Sequence, residues 1–228
     1  MADYVIATIK SWNINNCRKL AEQFPDHNFR IVTEKEELTY KTLSDIKPEF
    51  VFFPHWSWLI PEEVYEHFNC VVFHMTDLPF GRGGSPLQNL LVRGIYHTKI
   101  TAIKVEAGLD TGDIYLKEPL DISTGSADEI FSKISDIVFG RMIPRFIEEK
   151  LLLMHQEGEP AVFSRRRPEQ SEIPEGLSQR QIYDYIRMLD GEGYPAAYTK
   201  CRNGKVYYRN ARLIDGVVYA EAEFREER

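Results

Sequence analysis

Cysteine is scarce in this chain. Cys17, Cys70 and Cys201 are scattered through 228 residues, and no pair has the spacing of a zinc or redox motif. A disulfide scaffold is excluded, no His/Cys cluster offers a metal site, and the thiols read as reduced ones in a cytoplasmic protein. Long apolar runs are also missing. None approaches the ~20 residues that cross a bilayer, and residues 1–9 lack the basic-then-apolar order of a secretory leader. No membrane partner is expected. Positive charge is thin: 28 Lys and Arg stand against 35 Asp and Glu, for a net charge of −7. Arg165-Arg166-Arg167 is the one basic cluster. Gripping a polyanion needs more clustered cations than that, so no nucleic-acid partner is expected.

What is present is core-forming material. Apolar residues make up 43% of the chain, enough for a sizeable domain with a small appendage. Tyr4–Ile9, Phe29–Thr33, Glu49–Phe53 and Val71–Phe73 read as buried strands, separated by helical stretches at 15–24, 42–46 and after Pro61. Thr98–Glu106 and Ile114–Leu120 are further strands. Ser126-x-x-Glu129 opens a helix running to about His155, with Pro144 kinking or restarting it. Near Glu157-Gly158-Glu159-Pro160 the pattern changes. Beyond it, Ser178-x-x-Gln181 caps a helix, and Asn203-Gly204 and Asp215-Gly216 turn an antiparallel meander. The expectation is an α/β protein with an open, mostly parallel, Rossmann-like sheet over residues 1–157. A small helix-plus-hairpin subdomain should occupy 158–228.

The most informative stretch runs from Phe73 to Gln88: Phe-His-Met-Thr-Asp-Leu-Pro-Phe-Gly-Arg-Gly-Gly-Ser-Pro-Leu-Gln. It begins at a buried strand and ends at a helix start, with Ser85 as N-cap, Pro86 first and Gln88 placed to close a capping box. Between them lies a loop rich in proline and glycine, and an imidazole emerging under such a loop is how an open α/β sheet builds a site. A lone histidine at a strand end also serves structural purposes. The glycines make a poor dinucleotide fingerprint, because the third position falls on Pro86.

His74, Leu78-Pro79, Arg82-Gly83 and Ser85-Pro86-Leu87-Gln88, followed by Gly108-Leu109-Asp110-Thr111-Gly112-Asp113, resemble the folate-dependent formyltransferase family. The resemblance covers residues 1–155 well. It implies the formyltransferase fold and 10-formyltetrahydrofolate as formyl donor, with His74 and Asp110 as the catalytic pair. By the same resemblance Trp56, Trp58, Leu59, Ile60, Val105, Gly108 and Leu109 would line the pterin pocket, several through backbone groups. Lys10, Ser11, Trp12 and Asn13 match a loop that holds substrate phosphate in one branch of the family. Arg82 would meet a phosphate or carboxylate of the acceptor or else brace its own loop, and Gly83 would meet the acceptor.

Chemically, formyl transfer to an amine needs a group to carry protons and a donor for the oxygen that gains charge. Imidazole suits the first task, and Asp110 would hold it in one charge state or position a relaying water. The family carries an asparagine two residues before the histidine; here that position is Val72, which cannot donate. A backbone amide, Asn89 or His74 alone would have to serve. The version of the motif looks closest to sugar-nucleotide N-formyltransferases, including those of the pseudaminic-acid pathway. A nucleotide-linked amino-deoxy sugar, used in surface glycan biosynthesis, is therefore the expected acceptor, with a homodimer left open. The alternatives are a non-catalytic folate or nucleotide-sugar binding relic, and a methionyl-tRNA formyltransferase. Against the last stand the acidic charge and a length that looks too short for its C-terminal domain.

Overall fold

The computed structural model describes residues 1–226. Along the chain the elements are β1 (Asp3–Ala7), α1 (Ser11–Gln23), β2 (Asn28–Val32), α2 (Tyr40–Ile46), β3 (Phe50–Phe53), α3 (Glu62–Tyr65), β4 (Cys70–His74), β5 (Phe80–Gly83) and α4 (Pro86–Leu91). There follow β6 (His97–Lys104), β7 (Ile114–Asp121), α5 (Ala127–Ile137), α6 (Ile143–Glu148), β8 (Ala161–Phe163), α7 (Gln179–Arg187), β9 (Ala197–Cys201), β10 (Gly204–Ile214) and β11 (Val217–Glu226). Six strands make one sheet in the order β2-β1-β3-β4-β6-β7. The first four run parallel, and β6 is antiparallel to β4. The mostly parallel sheet inferred from the buried apolar runs is therefore present. So is the antiparallel meander, as a three-stranded sheet β11-β10-β9. The short β5–β8 pair was not foreseen. No described helix is long and apolar enough to cross a membrane.

The chain divides into two compact units. The first comprises Met1–Arg82, Lys99–Leu120 and Ser132–Ala161; the second comprises Gly83–Thr98, Asp121–Phe131 and the chain from Val162 on. In the first unit, the two-residue period of the strands sorts side chains between the sheet faces. Val5, Ala7, Val51, Phe53 and Cys70 join Val32, Leu38, Leu43 and Val64 in one cluster. On the alternate positions Phe50, Phe52 and Phe73 meet Phe146, Tyr4 meets Phe52, and Tyr115 meets Phe50 and Phe146, with ring centroids 5.0–6.4 Å apart. Each such buried side chain contributes about 1.5–3 kcal/mol relative to exposure.

Three local expectations change. Helix α1 begins at Ser11, so residues 11–13 form its first turn rather than a loop. The buried Asn13 carboxamide donates to Thr8 Oγ1 at 2.8 Å and to the Pro54 carbonyl, which draws that turn onto the sheet. Ser85 does not cap α4: its backbone is left-handed (φ 52°) and its side chain makes no cap bond. Ser85 Oγ instead accepts the Arg166 amide at 3.0 Å, and Gln88 donates to the Met188 carbonyl at 3.0 Å. Last, α6 ends at Glu148 rather than His155, after a π-turn at Val138–Met142. The chain beyond it is taken into extended pairing, where Met154 and Ile114 exchange both backbone bonds at 2.8 and 2.9 Å.

In the second unit, α7 opens on the expected capping box between Ser178 and Gln181. Its Asp184 accepts from Arg187 at 2.7 Å, Arg180 at 3.0 Å and the Tyr96 hydroxyl at 2.7 Å. Arg187 is 1% exposed, yet its guanidinium also reaches the Gly125 and Ile122 carbonyls at 3.0 and 2.8 Å. A charge can be buried on such terms because its donors are occupied.

Candidate active site

His74 ends β4, and Asp110 lies 36 residues later in the loop between β6 and β7. The fold brings them together: His74 Nδ1 stands 3.5 Å from Asp110 Oδ2, with the two side chains 9% and 12% exposed. On the other side of the ring, Nε2 is 2.8 Å from the Gly81 carbonyl oxygen. A carbonyl only accepts, so Nε2 must carry the hydrogen in that bond. Nδ1, facing Asp110, is thus the position at which a proton can come and go. Thr76 Oγ1 donates to the same Gly81 oxygen at 3.3 Å, and Thr101 Oγ1 donates to the Thr76 carbonyl at 2.6 Å. Both threonines are fully buried. Lys117 Nζ bonds Asp77 and the Leu78 carbonyl at 2.5 and 2.6 Å, and Lys99 pairs with Asp77 at 3.1 Å. The segment from His74 to Gly81 is held at several points along its length.

Asp110 is held as firmly. Its backbone is left-handed (φ 53°), uncommon for a residue with a side chain. Gly112 lies against β6 so closely that a β-carbon there would stand 1.8 Å from the Lys104 carbonyl oxygen. A residue that sequence reasoning missed completes the arrangement. Gln156 is 6% exposed. Its Nε2 donates to the Asp110 and Gly112 carbonyls at 2.9 and 2.8 Å, and its Oε1 accepts from Arg82 Nε and Nη2 at 3.1 and 2.7 Å. Nothing local marks it, since its partners are 44 to 74 residues away. Arg82, for which the sequence leaves both an acceptor contact and bracing of the loop open, spends these donors on Gln156.

Of the residues expected to line a pterin, Trp56, Ile60 and Val105 share a neighbourhood. Trp56, Ile60, Val105 and Val72 pack against the same core cluster. Trp56 and Trp58 meet edge to face, 4.8 Å between centroids. Trp58 is 38% exposed, whereas Leu59 and Leu109 are largely exposed. The Trp56 indole N–H is buried without a partner in the protein, a donor suited to an acceptor on a flat heteroaromatic ligand. Gly108 takes φ 121°, open to close backbone approach. Flat apolar walls, an orphan donor and exposed backbone together fit a pterin.

Other candidates divide. Lys10 Nζ lies 5.2 Å over the Trp12 ring, and Ser11 is exposed. Asn13 is 2% exposed with its amide donors bonded inside the protein, so the expectation of an acceptor-facing Asn13 side chain is corrected. His55 has a left-handed backbone (φ 75°); burial, reinforced by the charge of Lys10, pushes its imidazole down to about 4. In the second unit, Gly83 approaches the Phe163 carbonyl too closely for any β-carbon. Asn89, offered as a substitute oxyanion donor, gives its amide to the Gly84, Ser85 and Ser164 carbonyls, each at 3.0 Å. Arg166 stacks on Tyr185 and bonds its hydroxyl, while Arg165 and Arg167 are exposed. Among the described residues no group of three or more His, Cys, Asp or Glu could hold a metal.

Comparison with known proteins bears on the acceptor. The formyl transferase family model matches residues 15–137, and a model described as the C-terminal domain of methionyl-tRNA formyltransferase matches 168–225. A solved structure described as methionyl-tRNA formyltransferase from Clostridium thermocellum is 51% identical over the full length of both chains, with a TM-score of 0.95. A methionyl-tRNA formyltransferase of Carboxydothermus hydrogenoformans is 28% identical over 197 residues, 82% of this chain and 63% of its own length. The chain therefore spans less than two thirds of that relative. A sugar N-formyltransferase from Shewanella sp. has a TM-score of 0.69 over 94% of this chain and all of its own, at 16% identity, a likeness of fold alone. Two expectations fall with these findings: an amino-sugar nucleotide as acceptor, with its place in glycan and pseudaminic-acid synthesis, and the exclusion of nucleic acid. The length of the chain also argues against a methionyl-tRNA type of C-terminal domain, yet residues 168–225 match a model of that domain. Net charge misled because it sums over the chain. Residues 1–161 carry 24 acidic and 16 basic side chains, whereas 162–228 carry 11 and 12.

Proposed function

Since the chain belongs to the formyl transferase family, we propose that it moves a formyl group from 10-formyltetrahydrofolate to the amino group of methionyl-tRNA. The observation that carries the chemistry is the convergence of the His74 imidazole and the Asp110 carboxylate at 3.5 Å, nearly buried. When bound, 10-formyltetrahydrofolate supplies the formyl carbon and takes a proton at the nitrogen it gives up. Trp56, Trp58, Leu59, Ile60, Val105, Gly108 and Leu109 bind its pterin between ring faces and backbone groups. His74 Nδ1 takes the proton that the attacking amine must lose. Asp110 stabilises the imidazolium so formed, at a separation that a bound ligand can tighten. Val72 supplies no donor and Asn89 is committed elsewhere, so the oxygen that gains charge is served by backbone amides or by the imidazolium itself.

The tRNA acceptor is supported by the match of residues 168–225 and by the identity to the Clostridium thermocellum protein. In this reading residues 1–157 carry the folate chemistry, and 158–228, the less acidic part, meet the polyanion. Lys10, Ser11 and Trp12 face the acceptor's reactive end. Three free cysteines suit a cytoplasmic setting. The test is to incubate the protein with 10-formyltetrahydrofolate and methionyl-tRNA and to follow formylmethionyl-tRNA. Product should form, and its rate at limiting tRNA should fall at least about tenfold between 50 and 200 mM salt, as a few released counterions require. Folate binding without formylated tRNA would refute the acceptor.

A further inference from the structure

We infer that Gln156 is a positioning residue, one that sets the geometry of the His74–Asp110 pair and through it the rate of formyl transfer. The inference rests on the roles proposed for that pair. Gln156 is nearly fully buried, and both ends of its carboxamide are in use. One end holds the Asp110 and Gly112 carbonyls; the other holds Arg82. Arg82 directly follows Gly81, whose carbonyl fixes His74 Nε2. A single side chain thus links the segment that orients the imidazole to the loop that carries the carboxylate. That loop carries Asp110 in a left-handed conformation, one that even an aspartate adopts only occasionally.

The chemistry asks for glutamine. Two donors face two carbonyls while one acceptor faces a guanidinium. Glutamate keeps the acceptor but has no donors, and its charge would repel both carbonyls. Methionine keeps the length and has neither function. Asparagine is one methylene too short to reach both sides.

The test measures kcat, KM for the folate and the pH profile of kcat for Gln156→Glu and Gln156→Met. Each substitution is made in the native chain and in an Asp110→Asn background. Loss of alignment by about an ångström can cost ~10²-fold. Both variants should therefore lose roughly 10- to 100-fold in kcat, with KM for the folate within about threefold and a displaced pH profile. In the Asp110→Asn background the same substitutions should cost several-fold less than in the native chain, because the carboxylate they orient has already gone and only the hold on the imidazole segment remains. A kcat within threefold of the native chain would overturn the inference. So would an equal loss in both backgrounds, or loss of folding together with activity in both variants, each of which marks a purely structural residue. If His74→Gln retains activity, the failure lies in the reading of the pair itself.

Discussion

His74 and Gly81 are joined by a 2.8 Å hydrogen bond from imidazole Nε2 to a backbone carbonyl. That bond assigns one nitrogen to structure and leaves the other for chemistry.

The two tasks can be separated by substitution. Glutamine places an N–H near the position of Nε2 but has nothing at Nδ1 that takes a proton. His74→Gln should fold with near-native stability, bind the folate within a fewfold of the native affinity, and lose 10²–10⁴ in kcat, the usual worth of a positioned general base. Asp110→Asn, which tolerates the left-handed backbone, should lose at least tenfold while binding is kept. Single-turnover kinetics beside folate titration checks both. Retained turnover in the His74 variant would remove the basis of the mechanism.

Gly112 supports the same pair from behind. Alanine there would place its β-carbon 1.8 Å from the Lys104 carbonyl oxygen, an atom of the sheet backbone. The loop must then lift from β6, straining the bond from the Lys104 amide to the Asp113 carbonyl at 2.9 Å. Gly112→Ala should cost about 1–3 kcal/mol in urea denaturation and reduce kcat more than folate affinity. Unchanged stability would show that the loop gives way freely.

Much of this architecture was readable because its causes are local. Continuous apolar runs in β1, β3 and β4 specify buried strands, and the boxes at Ser126 and Ser178 close within three residues. Asp215-Gly216 turns β10 into β11, where Ile214 pairs with Val217. What escaped reading depends on distant partners. Ser85 carries every local mark of a cap but is claimed by Arg166, 81 residues on. Asn13 looks like a loop residue until Pro54 appears beside it. Gln156 has no periodicity or motif, only partners that the fold supplies. His74 and Asp110 were singled out by motif, but their approach to 3.5 Å and the binding of Nε2 by Gly81 are products of tertiary structure.

His55 should leave a signature in acid stability. Burial, with Lys10 adding repulsion, lowers its pKa from 6.5 to about 4. Between those values the unfolded chain binds a proton that the folded chain refuses, so stability rises with pH across that window. The contribution is present in full above pH 6.5 and is lost as the pH falls toward 4, amounting to roughly 3 kcal/mol. Asparagine suits the left-handed backbone at this position and does not titrate. The stability difference between the native chain and His55→Asn, followed by denaturation from pH 7.5 to 4.5, should shift against the native chain as acid is added. A difference independent of pH would mean that His55 is no more buried from protons in the native state than in the unfolded one.

The thiols offer a check on packing that is independent of catalysis. Cys17 and Cys70 are buried, and burial raises their pKa values to about 11 and about 12. Reaction with maleimides or aromatic disulfides needs thiolate and access, and these two have neither at neutral pH. Cys201, at the end of β9, is exposed. One thiol should therefore react rapidly in the folded protein and three after denaturation, with the fast phase absent from Cys201→Ser. Cys70 lies in β4, the strand that ends in His74. Its labelling rate under native conditions therefore reports opening of the strand that carries the imidazole. Rapid native labelling of Cys70 would mean that β4 opens readily, and a pair held by that strand could not keep the geometry on which the proposed proton transfer depends.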